Sequence, residues 1–246
     1  MRALDGTRVG AVIRKELTEY RRKRSIVVAM LVLPAIFLIE PILTVLLGPH
    51  APVGDQSYRI PILLLILIPV ITPSTLAAYS VAGEREQGTL EPLLTTPIRT
   101  EEFIVAKAAA IMIPTLGLSY LVFGFFLALV RLFSDPVIAA GIFNEGPLLL
   151  ALFLFTPLLA GWAIVVGMAM SVSAGEIRVA QQLGMVASFP PLGIVILMVL
   201  GVIQPTITAA IVFAVVLLVA DLLALRLTSG LFDRERLVTG ARAVRA

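Results

Sequence analysis

The sequence predicts an all-α integral membrane protein with six transmembrane helices, an N-terminal amphipathic interfacial helix and one short helix in a connection. Of its 246 residues, 59% are hydrophobic and 14% are charged, whereas a soluble domain carries about 25% charged residues. Long stretches without lysine or arginine reach the roughly 20 residues that a helix needs to cross a bilayer. Basic residues cluster beside these stretches, so water is not the main solvent of this chain.

Composition also excludes several kinds of site. There is no cysteine and only one histidine, His50, which excludes disulfides, thiolate metal sites, cysteine nucleophiles and histidine metal clusters. The sequence pI near 9.6 could indicate a nucleic-acid partner, but the basic residues flank apolar stretches, so contact with anionic lipid is the simpler interpretation. We therefore expect no catalytic residue, no metal and no nucleic-acid partner in this chain.

Residues 1–24 are predicted to form a cytoplasmic amphipathic segment. Apolar side chains recur in it at helical spacing, and charged side chains occupy the other positions. The apolar face would lie at the acyl boundary and the basic cluster would meet lipid headgroups; the alternative is a simple cytoplasmic retention signal. The apolar positions are Val9, Ile13, Leu17 and Tyr20, and the basic cluster is Arg21, Arg22, Lys23 and Arg24.

A six-helix transmembrane domain is predicted over residues 25–227, followed by a cytoplasmic tail over 228–246. Only Glu40 and Asp221 are charged within the spans. Prolines such as Pro69, Pro73 and Pro191 predict bent helices whose freed carbonyls are satisfied by neighbouring helices or water. The predicted spans are Ser25 to Leu47, Ile60 to Ala82, Ala108 to Val130, Pro147 to Met170, Leu183 to Ile203, and Ile207 to Leu225.

The distribution of lysine and arginine predicts the orientation, because short loops rich in these residues stay in the cytoplasm. Residues 1–24 hold eight, the connection 83–107 three, the connection 171–182 one and the tail from Arg226 five, which makes seventeen on one side. The alternate connections hold only Arg59 and Arg131. Both termini are therefore predicted to be cytoplasmic, in a multi-pass protein of the cell membrane.

The connection over residues 83–102 carries strong turn signals. Gly88 can end the preceding helix in a left-handed conformation, and Thr89 can cap a new helix whose first turn contains Glu91. Pro97 disfavours helical geometry at the residue before it, so the new helix would run from about Leu90 to Thr95. The alternative is a tight turn that contacts no partner.

A second helix start is predicted directly after this short helix. Thr100 would be its cap, with Glu101 and Glu102 in the first turn of the third span. After that span, a further short helix is expected over Val137 to Ile142 in the external connection.

The run EREQGTLEPLLTTPIRTEEFIVAK over residues 84–107 resembles the cytoplasmic loop of ABC-2-type permeases. That loop has a Glu-(Lys/Arg)-Glu-x-Gly-Thr-(Leu/Ile)-Glu core, then a proline and a Gly-Lys or similar pair, for which this chain has Ala106-Lys107. Arg14-Lys15-Glu16-Leu17 and the segment GEIRVAQQ over residues 175–182 are weaker similarities. The resemblance covers all three main cytoplasmic segments.

The resemblance implies that the chain is the permease of an ATP-driven exporter. Such a permease forms half of a pore with a second permease copy or a similar permease, and ATP and Mg²⁺ bind to separate ATPase subunits. A coupling helix in the loop contacts the ATPase, which implies that six residues form or position this contact: Glu84, Glu86, Gly88, Thr89, Glu91 and Pro97. The chain contains no G-x-x-x-x-G-K-[ST] phosphate loop.

The two intramembrane carboxylates have two interpretations each, because a charge within a span is costly. Asp221 lies near Arg226 and is expected to pair with a basic residue at the inner rim. Glu40 is expected to face water or a helix amide, or alternatively to form a polar patch on the translocation path. Polar and aromatic residues such as Tyr120 and Trp162 are expected to be helix contacts or interfacial anchors.

Two rival functions remain open from the sequence. An ATP-independent channel or carrier would show several intramembrane charges or repeated broken helices, and two peripheral carboxylates favour it only weakly. A membrane-embedded protease would need a nucleophile and a base at matching depths, and no such set is visible. The sequence does not select a substrate, or a homodimer over a heterodimer.

Overall fold

The computed structural model describes residues 5–47, 59–88, 99–144, 146–174, 176–200, 202–203 and 206–231, and these ranges contain helices and no strand. The predicted all-α class is confirmed. Eight helices are formed within these ranges: α1 Gly6–Arg22, α2 Arg24–Leu47, α3 Arg59–Ala78, α4 Thr100–Phe133, α5 Pro136–Asn144, α6 Gly146–Ser173, α7 Ile177–Val199 and α8 Ile207–Leu231.

Six of these helices, namely α2, α3, α4, α6, α7 and α8, are long and apolar enough to cross a membrane. This confirms the predicted number of spans. Helices α3 and α6 form the centre of the bundle, where they pack on each other and on α4 and α7. In the span of α3, 78% of the residues are buried, against 24% for α2 and 22% for α8. The last two helices therefore form the outer surface and present apolar side chains outward.

Three predicted boundaries, which belong to two helices, were wrong. Helix α7 begins at Ile177 rather than at Leu183, because Gln181 and Gln182, which resemble a connection, continue the helix. It ends at Val199 rather than at Ile203. Helix α4 begins at Thr100 with Arg99 as its N-cap, one residue before the predicted cap. The short helix predicted over residues 137–142 is confirmed as α5.

Neighbouring helices satisfy carbonyls that prolines leave without a donor. Proline at one position removes the hydrogen bond to the carbonyl four residues earlier. For Pro157 that carbonyl belongs to Phe153, and the hydroxyl of Tyr120 donates to it at 3.2 Å. For Pro191 it belongs to Ala187, and Nε1 of Trp162 donates to it at 3.0 Å. Both aromatic residues are thus helix contacts, as expected, and each donates to a carbonyl that a proline leaves without its helical partner.

Small residues let the central helices approach closely. A Cβ atom added at Gly167 of α6 would lie 2.6 Å from Cβ of Ala77 in α3. A Cβ atom added at Gly184 of α7 would lie 3.3 Å from Cα of Gly167. Close backbone approach of this kind is a general source of helix association in membranes, where the hydrophobic effect does not drive helices together. The interior of the bundle is therefore shaped by packing around Gly167.

Helix α3 ends in a π-helical turn over Tyr79–Gly83 and a last helical turn over Glu84–Glu86. Ser171 of α6 completes the π-turn, because its hydroxyl donates to the carbonyl of Ala78 at 2.7 Å and accepts from the amides of Val81 at 3.1 Å and Ala82 at 2.9 Å. Turns of this type within α-helices often lie at functional sites. This one leads directly into Glu84.

Candidate functional site

Helix α1 is anchored on the protein at the end of the bundle that holds Glu84–Gly88 and the start of α4, which we call the charged end. Asp5 caps the helix by accepting the amide hydrogen of Thr7 at 3.0 Å. Ile13, Leu17 and Tyr20 pack against a core cluster that includes Phe103 of α4. The predicted amphipathic helix is confirmed, and part of the apolar face that was expected to meet lipid is instead in contact with protein.

Glu102 joins the starts of two helices. Its side chain is 1% exposed, and it accepts the backbone amide hydrogen of Arg99 at 3.1 Å and that of Asp5 at 3.2 Å. Arg99 and Asp5 are the N-caps of α4 and α1. A carboxylate favours the positive end of a helix dipole, so this one group stabilises both helix starts and holds them side by side.

A buried ionic cluster lies one helical turn further along α4. Lys107 is 1% exposed, yet its Nζ lies 3.3 Å from Oε1 of Glu16 in α1 and 2.9 Å from Oε1 of Glu84 at the end of α3. Its ammonium group also lies 5.1 Å from the ring centre of Phe103, within the range of a cation–π interaction. One lysine therefore joins three helices.

Lys15 completes this cluster, which we call the ionic cluster and define as Lys15, Glu16, Glu84 and Lys107. Nζ of Lys15 lies 3.1 Å from Glu16 and 3.2 Å from Glu84. Partial burial lowers the pKa of Lys15, but the two carboxylates outweigh burial and raise the pKa to about 12. Two positive and two negative groups thus balance, which is what allows charges to remain away from water.

The residues after Glu84 bind the ends of other helices. Arg85 donates to the carbonyls of Ala174 at 3.0 Å and Val172 at 3.3 Å, at the end of α6. Glu86 accepts the amide hydrogen of Ile177, the first residue of α7, at 2.9 Å. These partners are groups that a helix end leaves without an internal hydrogen bond.

Gln87 extends this series to the corner between α1 and α2, where Lys23 donates to its Oε1 at 2.9 Å. We call Glu84–Gln87 the junction segment. Its four consecutive side chains bind α1, α4, the end of α6, the start of α7 and the α1–α2 corner. A displacement of this segment would therefore act on five places in the bundle at once.

The predicted left-handed turn after this segment is confirmed. Gly88 has a φ of 66° and is the one residue with positive φ in the described part of the chain. Thr89, Glu91 and Pro97, and the short helix predicted over residues 90–95, lie outside the described residues. The structure thus places Glu84, Glu86 and Gly88 together on one segment, and the contact role predicted for all six residues stays a prediction.

Sequence reasoning did not identify several members of this site. Lys107 was considered only as a departure from a pair pattern, and Lys15 and Glu16 only as part of a weak similarity. Arg85 and Glu102 were given no contact. A lysine flanked by alanines at the edge of an apolar span is a usable signal, because such a charge needs a partner. Which carboxylates approach it depends on how three helices pack.

The two intramembrane carboxylates lie outside this site. Oε1 of Glu40 accepts from the hydroxyl of Thr44 at 2.8 Å, and its Oε2 has no partner among the described residues. The pairing expected between Asp221 and a basic residue was wrong for the described part of the chain. Asp221 instead faces α6, where a Cβ atom at Gly161 would lie 2.9 Å from its Oδ2.

No group of three or more metal-ligating side chains occurs among the described residues.

The family model described as ABC-2 family transporter protein matches residues 12–177, about two-thirds of the chain. No curated protein matches the chain significantly. The matched range begins in α1 and ends at the first residue of α7, so it contains the whole ionic cluster, the junction segment and the π-turn.

Proposed function

Since the chain belongs to the ABC-2 transporter family, we propose that it is the permease subunit of an ATP-driven exporter and is driven by a separate cytoplasmic ATPase. The family supports a membrane component of an ABC transporter. ATP and Mg²⁺ would bind to the partner, because this chain has no phosphate loop. The chain's own task is to convert motion at the charged end into helix movement.

The observation that carries this proposal is the set of contacts made by the junction segment. Glu84 joins α3 to α1 and α4 through the ionic cluster, Arg85 binds the end of α6, and Glu86 binds the start of α7. Because the segment continues directly into the Gly88 turn, a force on the following connection reaches five helices. A loop that served only to connect two spans would not need these contacts.

The orientation of the chain follows from the same proposal. The charged end would face the cytoplasm, in agreement with the seventeen lysines and arginines of the terminal segments and connections predicted on that side. A single cysteine introduced at Thr7 should then resist an impermeant thiol reagent in intact cells, whereas one at Ser134 should react. Reaction at Thr7 alone would contradict the orientation without affecting the six-helix fold.

A second permease, either a copy of this chain or a similar protein, would complete the pathway. Helices α2 and α8 support this, because fewer than a quarter of the residues in their spans are buried and lipid or another helix must cover the rest. Crosslinking of single cysteines placed along α2 and α8 in native membranes, followed by mass measurement, would identify the covering helix. Crosslinks only to lipid would argue for a permease that works alone.

The test of ATPase coupling begins with purification of the chain from membranes of its own host in mild detergent. We expect an ATP-binding subunit with a phosphate loop to copurify in stoichiometric amount, and the complex to hydrolyse ATP while the isolated chain does not. Transport that proceeds without any ATPase would instead support the alternative, an ATP-independent channel or carrier.

A matched pair of glycine variants then tests the junction itself. An added Cβ atom meets nothing within 4 Å at either Gly88 or Gly10, but only Gly88 has positive φ. Gly88→Val should therefore strain the turn by about 1–2 kcal/mol and uncouple ATP hydrolysis from the permease, while Gly10→Val should behave as wild type. If ATP hydrolysis stays coupled to the permease in Gly88→Val, the junction segment and its Gly88 turn serve only as a connection between two spans.

A further inference from the structure

The outer surface of the bundle contains an apolar groove between α1, α2 and α4. It has a volume of about 510 Å³. Leu17 and Tyr20 line it from α1, Met30 and Leu31 from α2, and Gly117 and Leu121 from α4. Leu31 is 53% and Leu121 68% exposed, so the groove opens outward, away from the centre of the bundle.

The floor of the groove is formed where α4 lacks side-chain bulk. An added Cβ atom at Gly117 would meet nothing within 4 Å, and Pro114, three residues earlier, also lines the groove. The missing side chain of Gly117 therefore contributes to the open space of the groove. A larger side chain at position 117 would begin in open space and extend into the groove.

The groove begins beside the first turns of α2. Val27 and Leu31 line it three and seven residues after Arg24, the first residue of α2, which corresponds to roughly 5 and 10 Å along a helix. The hydrocarbon half of a bilayer is about 15 Å deep. A groove that starts near the charged end and runs towards the midplane has the position of an acyl chain.

Arginine stands beside this apolar groove. Arg21 lines it, and Arg22 and Arg24 are exposed nearby. The lysines of the same region, Lys15 and Lys23, are engaged by carboxylates of the protein, whereas the three arginines form no ion pair with the described residues. A guanidinium group binds phosphate through two parallel hydrogen bonds, so this corner is suited to an anionic headgroup.

We propose that the groove is a binding site for an anionic glycerophospholipid of the surrounding bilayer. One acyl chain lies along Leu17, Met30 and Gly117, and the phosphate is bound by Arg21. The lipid then fills the angle between α1, the first turns of α2 and the part of α4 from Pro114 to Leu121. The proposal depends on the membrane position of the bundle and does not depend on ATPase coupling.

The direct test is native mass spectrometry of the purified chain with dioleoyl phosphatidylglycerol or dioleoyl phosphatidylcholine, which share acyl chains and differ in headgroup. We expect one tightly bound phosphatidylglycerol per chain and weaker binding of phosphatidylcholine. Gly117→Leu should fill the groove and abolish that bound lipid. Gly124→Leu is the matched control, because Gly124 lies on the same helix, is also exposed with open space at its Cβ position and does not line the groove.

The headgroup is tested by a second pair of variants. Arg21→Gln should weaken phosphatidylglycerol binding about fivefold, the factor expected for one arginine at a membrane surface, and should weaken phosphatidylcholine binding less, because the choline cation offsets the charge of its phosphate. Arg14→Gln, an exposed arginine of α1 outside the groove, should have no effect. Helical content measured by circular dichroism confirms that each variant is folded.

Three results would overturn the proposal. Equal binding of both lipids by the wild type would remove the headgroup assignment, and retention of the bound lipid in folded Gly117→Leu would remove the groove assignment. A lipid-free dimer that Gly117→Leu dissociates would show instead that a second copy of the chain occupies the groove.

Discussion

The charged end and the interior of the bundle hold their helices together by different means. At the charged end, Glu16, Glu84, Glu86 and Glu102 each bind a group on another helix. In the interior, by contrast, Gly167 permits close approach, and the polar contacts described there serve mainly carbonyls that prolines have freed. The charged end is therefore held by ion pairs and hydrogen bonds between charged groups and helix ends, and the interior by close packing.

The largest effect that tests this comparison is expected for Lys107→Met. It removes a buried cation and leaves Glu16 and Glu84 with only Lys15, and removal of one partner from a buried pair costs about 3–5 kcal/mol. We expect a large fall in the thermal unfolding midpoint in detergent, which can be measured through the fluorescence of Trp162. Lys15→Met is the control, because its side chain is 45% exposed and exposed pairs contribute about 0–1 kcal/mol.

A compensating variant separates charge from packing at the same position. Lys107→Met combined with Glu84→Gln leaves one lysine opposite one glutamate and should recover most of the lost stability. If the double variant is no more stable than Lys107→Met, the lysine acts through its packing and the ionic description of the charged end is wrong.

In the interior the next largest effect should come from Gly167→Ala. The added methyl group would lie 2.6 Å from Ala77, and insertion of a methyl group into a closely packed site costs about 1–3 kcal/mol. Gly193→Ala, where nothing lies within 4 Å, should instead stabilise by about 0.4–1 kcal/mol through the unfolded chain. Thermal unfolding of both variants should show a lower midpoint for Gly167→Ala and a higher one for Gly193→Ala. Shifts in the same direction would contradict the packing argument.

A smaller effect is expected when the donor to a proline-freed carbonyl is removed. Trp162→Phe leaves the carbonyl of Ala187 without its partner, at a cost of about 0.6 kcal/mol for a hydrogen bond between membrane helices. In a Pro191→Ala background the helix supplies its own donor, so the cost of Trp162→Phe should disappear. A double-mutant cycle, with unfolding measured by circular dichroism, gives this coupling energy. If the stability changes of the two single variants add up to that of the double variant, the coupling is absent.

The smallest effect is expected for Asp221→Asn. The structure gives Asp221 no cationic partner among the described residues, and a carboxylate within a membrane span is unfavourable by itself. The amide should therefore leave stability unchanged within about 0.5 kcal/mol or increase it, in contrast to the loss expected for Lys107→Met. A loss as large as that of Lys107→Met would place a structural ion pair in the interior and remove the contrast.

The sequence was sufficient for the parts of the fold that depend on local pattern. Apolar length predicted six spans, and the left-handed turn at Gly88 followed from residue type alone. The predicted start of α7 was too late because Gln181 and Gln182 resemble a connection. The amide hydrogen of Ile177, the first residue of the helix, is instead bound by Glu86, which is distant in the sequence. Local pattern does not reveal a cap supplied by another helix.

The candidate site was predicted only in part for the same reason. The motif drew attention to Glu84 and Glu86 but not to Lys107, which completes the ionic cluster. That lysine lies 23 residues after Glu84 and reaches it only because α3 and α4 pack side by side. The expected partner of Asp221 was wrong because a residue five positions away in the sequence, Arg226, need not be near it in space.

The π-turn over Tyr79–Gly83 is equivalent to the insertion of one residue into an α-helix. Each residue of an α-helix advances the side-chain direction by about 100°. Without the extra residue, every side chain of the junction segment would point about 100° away from its present partner. Arg85 would no longer point at the carbonyls that end α6. The hydroxyl of Ser171 stabilises this turn by binding its backbone groups. It therefore helps to set the directions in which the side chains of the junction segment point.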